Sequence, residues 1–342
     1  MAETRAEAQN DLPDGSSKTS PDDSVQPLLS IKDLKTWFPV KRGLFSRDRD
    51  YIRAVDGVSL DLLPGRTLGL VGESGCGKTT LGRTLLGLEK ASAGRIYFKN
   101  QLLNKAGRKE MNRLRQEIQV IFQDPLSSLN PRMSVMDIVT EGLLQFKRIE
   151  GTRKDHARRL VKEVGLSESA IYRYPHEFSG GQRQRINIAR AVSLRPDFIV
   201  CDEAVSALDV SIQAQVINLL ISLQERHQLA YLFISHDLSV VSNIADHIAV
   251  MYLGRIFERG KTADIIQDPL HPYTRALIAA VPVPGEARLS QRRRVKGEAP
   301  SAANPPQGCR FHPRCPDAMP VCRKDPPRLQ RVGDREVLCH LY

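Results

Sequence analysis

No stretch of the sequence reaches the ~18 consecutive apolar residues that a membrane-spanning helix needs, so the chain is not expected to cross a bilayer by itself. The first residues, Met1-Ala2-Glu3-Thr4, lack the basic-then-apolar patterning of a secretory signal. These two absences point to a cytosolic protein that can still sit on a membrane surface. No internal repeat of solenoid period is visible, which argues against a stacked-repeat architecture. Cysteines number six in 342 residues, and none of the late ones forms the tight C-x₂₋₄-C pair usual in zinc motifs.

What is present begins with an ordinary globular balance, 41% hydrophobic and 26% charged. The length allows one large domain or two. Lys and Arg outnumber Asp and Glu by 50 to 39, a net charge of +11. That surplus suits nucleic acid, anionic lipid, a nucleotide or an acidic partner. Four of the six cysteines, Cys309, Cys315, Cys322 and Cys339, fall in the last tenth of the chain. In a reducing cytosol such clustering reads as metal or cluster ligation more readily than as disulfides.

Residues 1–27 are rich in Ser, Asp, Pro and Gly and poor in large apolar side chains, and read as a disordered acidic arm. A first strand is expected around Leu29–Val40, an exposed charged loop over 41–50, and a second, alternating strand over Ala54–Leu63. Short apolar runs at Thr67–Val71, Ile118–Phe122, Phe198–Cys201, Ala230–Ile234 and His247–Tyr252 read as buried strands. Helical patterns lie between them, at 79–88, 153–165, 182–194 and 211–226. Such alternation predicts an α/β domain with a mostly parallel sheet. Residues 105–180 read as a largely helical insertion. Beyond residue 284 the texture changes. Residues 284–308 read as a linker that holds Arg292-Arg293-Arg294 and a Pro/Ala-rich stretch, and 309–342 as a small Cys-rich appendage.

Gly72-Glu73-Ser74-Gly75-Cys76-Gly77-Lys78-Thr79 fits G-x-x-x-x-G-K-[ST], between an apolar strand and a helix that continues through Thr80. Glycines let the backbone wrap a phosphate, and the successive N–H groups and helix N-terminus face the anion. Lys78 would reach the β- and γ-phosphates of a nucleotide, and the Thr79 hydroxyl would ligate Mg²⁺. Such a loop needs a carboxylate at the tip of a neighbouring strand. Asp202 closes the run Phe198-Ile199-Val200-Cys201, at the strand end where ligands of open α/β sheets collect. Glu203, next to it and so directed elsewhere in a strand, would activate or position the attacking water. Ser179-Gly180-Gly181-Gln182 opens a basic helix and forms a second phosphate nest. One nucleotide site does not need two nests, but two chains packed head-to-tail would.

Together these motifs resemble the ATPase subunit of ABC transporters over residues 28–283. The resemblance implies a P-loop cassette with a RecA-like core sheet, an antiparallel β subdomain and a helical subdomain over about 124–182. It implies that Gln123 senses the γ-phosphate through Mg²⁺ and contacts the membrane subunit. Asp209, in Ser206-Ala207-Leu208-Asp209, would touch the opposing protomer, and His236 would contact the γ-phosphate. An aromatic residue ahead of the phosphate loop would stack on adenine. Phe38 and Tyr51 are candidates, and the sequence reading leans to Tyr51. Ala204 stands where many members carry proline, so the turn after Asp202-Glu203 should differ, with no catalytic group lost.

Within that family, Tyr174-Pro175-His176-Glu177, the run Val205–Gln215 (VSALDVSIQAQ) and His271-Pro272-Tyr273-Thr274-Arg275-Ala276-Leu277 resemble the peptide and nickel importers. The second ATPase subunit of oligopeptide and dipeptide importers is most similar. The branch implies hydrolysis of ATP with Mg²⁺ at the cytoplasmic face of the inner membrane. It also implies a second related ATPase, two transmembrane permeases and a periplasmic or extracellular binding protein, with no nucleic acid. Cys309, Cys315, Cys322 and Cys339 suit a 4Fe-4S cluster better than zinc, and an empty site also stays open. Cys76 and Cys201 read as packing residues. Nickel, glutathione, opines and antimicrobial peptides remain alternative cargos. A soluble ABC ATPase acting on nucleic acid or ribosomes would bring fused cassettes or a long coiled coil, and neither is present. A module that holds ATP without turnover would not need Asp202, Glu203 and His236 intact.

Overall fold

The computed structural model describes residues 26–40, 50–280, 297–298 and 300–342. The acidic arm up to residue 25, the loop at 41–49 and the Arg292-Arg293-Arg294 run lie outside the described residues.

Two sheets stand side by side. In the smaller, β1 (Leu29–Val40) pairs antiparallel with β2 (Asp50–Leu62) and with β4 (Ala93–Phe98), which turns into β5 (Gln101–Leu102). The inward residues of this ribbon, Leu34, Val55, Val58 and Ile96, are wholly buried. The larger sheet runs β11 (Leu329–Val332), β12 (Arg335–Leu338), β10 (Arg255–Lys261), β9 (His247–Tyr252), β3 (Thr67–Val71), β8 (Ala230–Ser235), β7 (Phe198–Asp202), β6 (Ile118–Ile121). Its parallel part comprises β3, β6, β7, β8 and β9. β3 lies between β8 and β9 with all five of its residues buried, as the continuous apolar run Thr67–Val71 requires of a strand covered on both faces.

Helix α1 (Lys78–Leu85) leaves the phosphate loop, and α2 (Arg108–Glu117) precedes β6. A helical layer follows: α3 (Pro125–Ser128), α4 (Val135–Gln145), α5 (Arg153–Glu163) and α6 (Gly180–Val192). Its starts are capped by local side chains. Ser134 and Asp137 form a capping box on α4, and the Thr152 side chain accepts the Asp155 N–H at the start of α5. The expected insertion is therefore interrupted by β6, which forms the sheet edge, and its helical part extends to residue 192. Then come α7 (Val210–His227), α8 (Leu238–Ser242), α9 (Thr262–Gln267), α10 (Pro272–Ala279) and α11 (Pro320–Lys324), with β10 (Arg255–Lys261) between β9 and α9.

The cysteine tail departs from the expected appendage. Residues Leu329–Val332 (β11) and Arg335–Leu338 (β12) form a hairpin that pairs with β10, Glu258 facing Val337 and Arg259 facing Glu336. Arg259 grips the Glu336 carboxylate through two hydrogen bonds of 2.7 and 2.8 Å. Cys309, Phe311 and Cys322 join the same apolar core as Tyr252, Phe257 and Tyr273. The physical reason is the edge of β10. Without the hairpin its backbone N–H and C=O groups would stand unpaired, and Phe257 and Glu258, now fully covered, would lose their cover. The last residues of the expected linker are also engaged, since Ala302 O accepts the Arg53 N–H at 3.2 Å.

Candidate functional site

The phosphate loop is squeezed between β2 and β9. A Cβ at Gly77 (φ +110°) would stand 1.9 Å from Ala54 O, and one at Gly72 would stand 2.1 Å from Met251 O. Only glycine fits either place. Lys78 is 4% exposed, and its Nζ donates to the loop's own carbonyls, Gly72 O at 2.8 Å and Glu73 O at 3.0 Å. The ammonium is thus held inside the ring of backbone that would surround a phosphate.

β7 ends on Asp202. Its Oδ1 accepts from Thr79 Oγ1 at 3.1 Å, which brings together the expected pair of hard oxygen donors. Burial raises the Asp202 carboxyl pKa, partly opposed by the Thr79 hydrogen bond. A cation there would favour the charged form. The donor chemistry therefore fits Mg²⁺. Gln123 stands exposed just past β6, on the same end of the sheet, since Ile121 pairs with Cys201.

Glu203 is not a strand residue. It takes the left-handed conformation (φ +50°) while its N–H donates to Ile234 O at 3.0 Å. An L-residue held there costs about 1–3 kcal/mol and persists where surrounding structure fixes it. The turn lays the Glu203 carboxylate 3.4 Å from Nδ1 of His236, which follows β8 and is half exposed. A cavity of about 310 Å³ lies over these groups, lined by Ser74, Gly75, Gly77, Lys78, Thr79, Thr80 and Glu203, with Phe38, Ile52, Ala54 and Ala302 on its other wall.

The second nest lies elsewhere. Ser179 caps α6 in a box with Gln182: Ser179 Oγ accepts Gln182 N–H at 3.4 Å, and Gln182 Oε1 accepts Ser179 N–H at 3.0 Å. Ser179, Gly180 and Gln182 are exposed and do not line the phosphate-loop cavity. A Cβ at Gly181 would meet Ile212 Cγ2 at 2.5 Å, so α6 and α7 start packed together. Asp209, at the start of α7, is exposed, and Val210 beside it is 81% exposed.

Residues 55–206 match the profile of the ABC transporter family, and 257–322 match that of the oligopeptide/dipeptide transporter C-terminal region. The chain is 49% identical over 320 residues to the oligopeptide transport ATP-binding protein AppF of Bacillus subtilis, covering 92% of this chain and 97% of that one. The chain belongs to the ABC transporter family. The dipeptide transport ATP-binding protein DppF of Escherichia coli is 47% identical, with 92% of this chain and 94% of DppF covered. Among solved structures, the dimeric post-hydrolysis ATP-binding cassette MJ0796, bound to ADP and phosphate, superposes with a TM-score of 0.60 at 26% identity. It covers 68% of this chain and 98% of its own.

In this ABC cassette the structure brings together Lys78, Thr79, Asp202, Glu203 and His236, and sets the Ser179–Gln182 nest and Asp209 on separate exposed surface. Of the two aromatic candidates, Phe38 lines the cavity and Tyr51 does not. On the β1–β2 ribbon Phe38 pairs with Ile52, and both line the cavity. Tyr51, one residue along and so on the other face, lies against Trp37 with ring centroids 6.1 Å apart.

Sequence reasoning missed several residues that hold the site. Gln184, wholly buried on α6, donates to Ala204 O at 2.7 Å, and Gln213 on α7 donates to Val205 O at 2.9 Å. These fix the turn after Asp202-Glu203 where the family's proline is missing. Their signal was a glutamine on the apolar side of each helix. Tyr273 accepts the Glu73 N–H through its hydroxyl at 2.9 Å, and Arg314 holds the Glu73 carboxylate. No local motif announces these contacts, because they join residues 200 and 241 positions apart.

Proposed function

We propose that the chain is the ATP-hydrolysing subunit of an importer for di- and oligopeptides. The observation that carries the reading is the meeting of four groups at the phosphate loop. Thr79, paired with Asp202, and Glu203, paired with His236, line the same cavity. The backbone N–H groups of residues 72–80 and Lys78 would bind the phosphates, with Thr79, Asp202 and Gln123 holding Mg²⁺. When bound, Mg²⁺ neutralises charge on the β- and γ-phosphate oxygens. Phe38, rather than Tyr51, would stack on adenine. The Glu203 carboxylate would take a proton from, or orient, the attacking water, and His236 would contact the γ-phosphate.

Ser179, Gly180, Gly181, Gln182 and Asp209 would complete the site of a second, related ATPase subunit packed head-to-tail. Their exposure, and their distance in the fold from this chain's own cavity, support that reading. The apolar cleft between α1, β6 and α4, about 440 Å³ with Leu88, Met111, Phe122, Gln145, Phe146 and Leu194 in its walls, would receive a transmembrane permease subunit. Two permeases and a peptide-binding protein on the far side complete the importer, with this chain peripheral on the cytoplasmic face. No helix among the described residues is long and apolar enough to cross a membrane. Charge on this chain is assigned to phosphate and membrane neighbours rather than nucleic acid.

We infer further that Cys309, Cys315, Cys322 and Cys339 hold a 4Fe-4S cluster. In support, Cys309, Cys322 and Cys339 are buried and Cys315 is half-buried, and Cys309 N donates to Cys322 O at 2.9 Å, which sets those two cysteines side by side. Among the described residues no group of three or more His, Cys, Asp or Glu stands close enough to hold a metal ion, so ligation would require the four thiols to draw together around the cluster. Anaerobically purified protein should absorb in the visible, and Cys309→Ser with Cys315→Ser should remove that absorbance; a colourless native protein overturns the cluster.

The transport reading is tested by co-purification and reconstitution. The chain should bring down two multi-span membrane proteins, and peptide with its binding protein should stimulate ATP hydrolysis by the assembled complex. Isolation without membrane partners, or hydrolysis driven by nucleic acid, would replace the reading.

A further inference from the structure

Glu73, the second residue of the phosphate loop, has each of its polar parts held from outside or across the loop. Its N–H donates to Tyr273 Oη at 2.9 Å, its carbonyl accepts from Lys78 Nζ at 3.0 Å, and its carboxylate receives Arg314 Nη1 and Nη2 at 2.8 and 3.0 Å. The Arg314 side chain is 8% exposed. Its Nη1 also donates to Tyr252 Oη at 3.3 Å, and the guanidinium stands 5.8 Å from the Tyr252 ring centre. Arg314 comes from the cysteine segment, one residue before Cys315. In the same segment Arg314 N donates to Phe311 O at 2.9 Å, and Cys309 N donates to Cys322 O at 2.9 Å. The segment is thus a hydrogen-bonded unit that reaches the phosphate loop through one planar fork, the bidentate geometry that arginine alone provides.

We propose that Arg314 is a positioning residue for the phosphate loop and makes the cysteine segment a determinant of ATP affinity. Two physical effects combine. The fork fixes the first turn of a loop whose N–H groups must converge on phosphate. It also neutralises a carboxylate that sits in the anion-binding loop and would otherwise repel the nucleotide. By linkage, whatever shifts the cysteine segment shifts nucleotide affinity, and nucleotide binding must shift the segment by the same free energy. This rests on the reading of residues 72–80 as the ATP site, but not on what the four thiols bind.

The test uses the full-length chain. Arg314→Ala should raise both Kd and KM for Mg-ATP about tenfold, some 1.4 kcal/mol, while kcat is largely kept. Arg314→Lys, which keeps the charge and loses the fork, should recover part of the affinity and covers the case in which the alanine variant misfolds. Adding Glu73→Gln to Arg314→Ala should also recover part, because the uncompensated carboxylate is gone. Arg323→Ala, on the exposed side of α11 in the same tail, should leave Kd unchanged. Hydrogen–deuterium exchange closes the linkage. Mg-ATP added to the Glu203→Gln chain should slow exchange of the amides at 309–315, and Arg314→Ala should abolish that protection. Native-like ATP affinity in a folded Arg314→Ala or Arg314→Lys chain overturns the proposal, as does an exchange pattern at 309–315 indifferent to ATP. Failure of the unmodified chain to bind ATP at all would instead remove the ATP site itself.

Discussion

Glu203 shows how a single residue acquires its role. The sequence places a carboxylate after a strand-ending aspartate. The structure then turns it by a left-handed residue, so that it faces the cavity beside His236 rather than alternating with Asp202. Glu203→Gln keeps the shape and the hydrogen-bonding capacity but not the basicity. ATP binding should persist, and turnover in the assembled complex should fall about 10²–10⁴-fold, the usual worth of a general base; turnover at the native rate would remove Glu203 from that role. The adenine contact is a second residue-scale prediction. Loss of one aromatic–base stack costs about 1–3 kcal/mol, so Phe38→Ala should raise KM for ATP roughly 5- to 150-fold, while Tyr51→Ala should not. A KM that responds to Tyr51 and not to Phe38 reverses the assignment. Gly72, Lys78, Thr79 and Asp202 were legible because their chemistry is local: a loop, a helix start and a strand tip. Phe38 against Tyr51 was not, because the choice depends on which face of a two-stranded ribbon each residue takes. That register is set by the pairing of Phe38 with Ile52, which no local pattern announces.

At the scale of elements, the buried runs at β3, β7, β8 and β9 announced themselves by length and apolarity, and the start of α6 by Ser179-Gly180-Gly181-Gln182, whereas the Ser134 and Thr152 caps became visible only in the structure. The hairpin Leu329–Leu338 was harder to see. Its strands are four residues each around Gly333-Asp334, with Gly333 at φ +60°. A Gly-Asp turn between short alternating runs is a hairpin signal, but composition alone marks 309–342 only as a small Cys-rich appendage. The start of α10 was equally hidden. His271 is 1% exposed, and its Nδ1 accepts the Tyr273 N–H at 2.9 Å, so the ring caps the helix in its neutral form. Burial pushes its pKa down to about 3. Unfolded, the ring takes up a proton near pH 6.5. Between these values the unfolded chain binds a proton that the folded chain refuses, so this residue's contribution to stability is lost as pH falls from about 6.5 towards 3. The urea midpoint should therefore drop on going from about pH 7 to about pH 5. His271→Asn, which can still cap but does not titrate, should show a shallower drop. Equal slopes for both chains would place the acid sensitivity elsewhere.

For the whole molecule, the question is whether the cysteine tail is cargo on a finished cassette or part of what finishes it. Composition marked a boundary near residue 284, and the textural change there is real, but the described residues beyond it return to the core. Besides pairing β12 with β10, the tail inserts Arg310, 6% exposed, which donates to the Asp56 carboxylate on β2 and to Leu253 O after β9. Asp56 is 4% exposed and also accepts from Trp37 Nε1 at 3.1 Å. Arg310 thus joins the tail, the antiparallel ribbon and the core sheet in one buried contact, and Arg314 does the same for the phosphate loop. Removing one partner of a buried ion pair costs about 3–5 kcal/mol, a large fraction of the 5–15 kcal/mol that holds a typical domain. A chain ending at residue 300 would lose that pair and the cover of Phe257 and Tyr252, and would leave β10 as an open edge. It should be recovered as aggregate, and Arg310→Ala alone should lower Tm by roughly 5 °C, at about 1.4 °C per kcal/mol for a chain of this size. Because a buried pair can be replaced by neutral groups at little cost when both charges go, Arg310→Met combined with Asp56→Asn should regain much of that loss. If the shortened chain folds with the Tm of the intact one, the tail is an appendage after all; if the double variant is no better than Arg310→Ala, the loss comes from packing around the arginine stem and not from a stranded carboxylate.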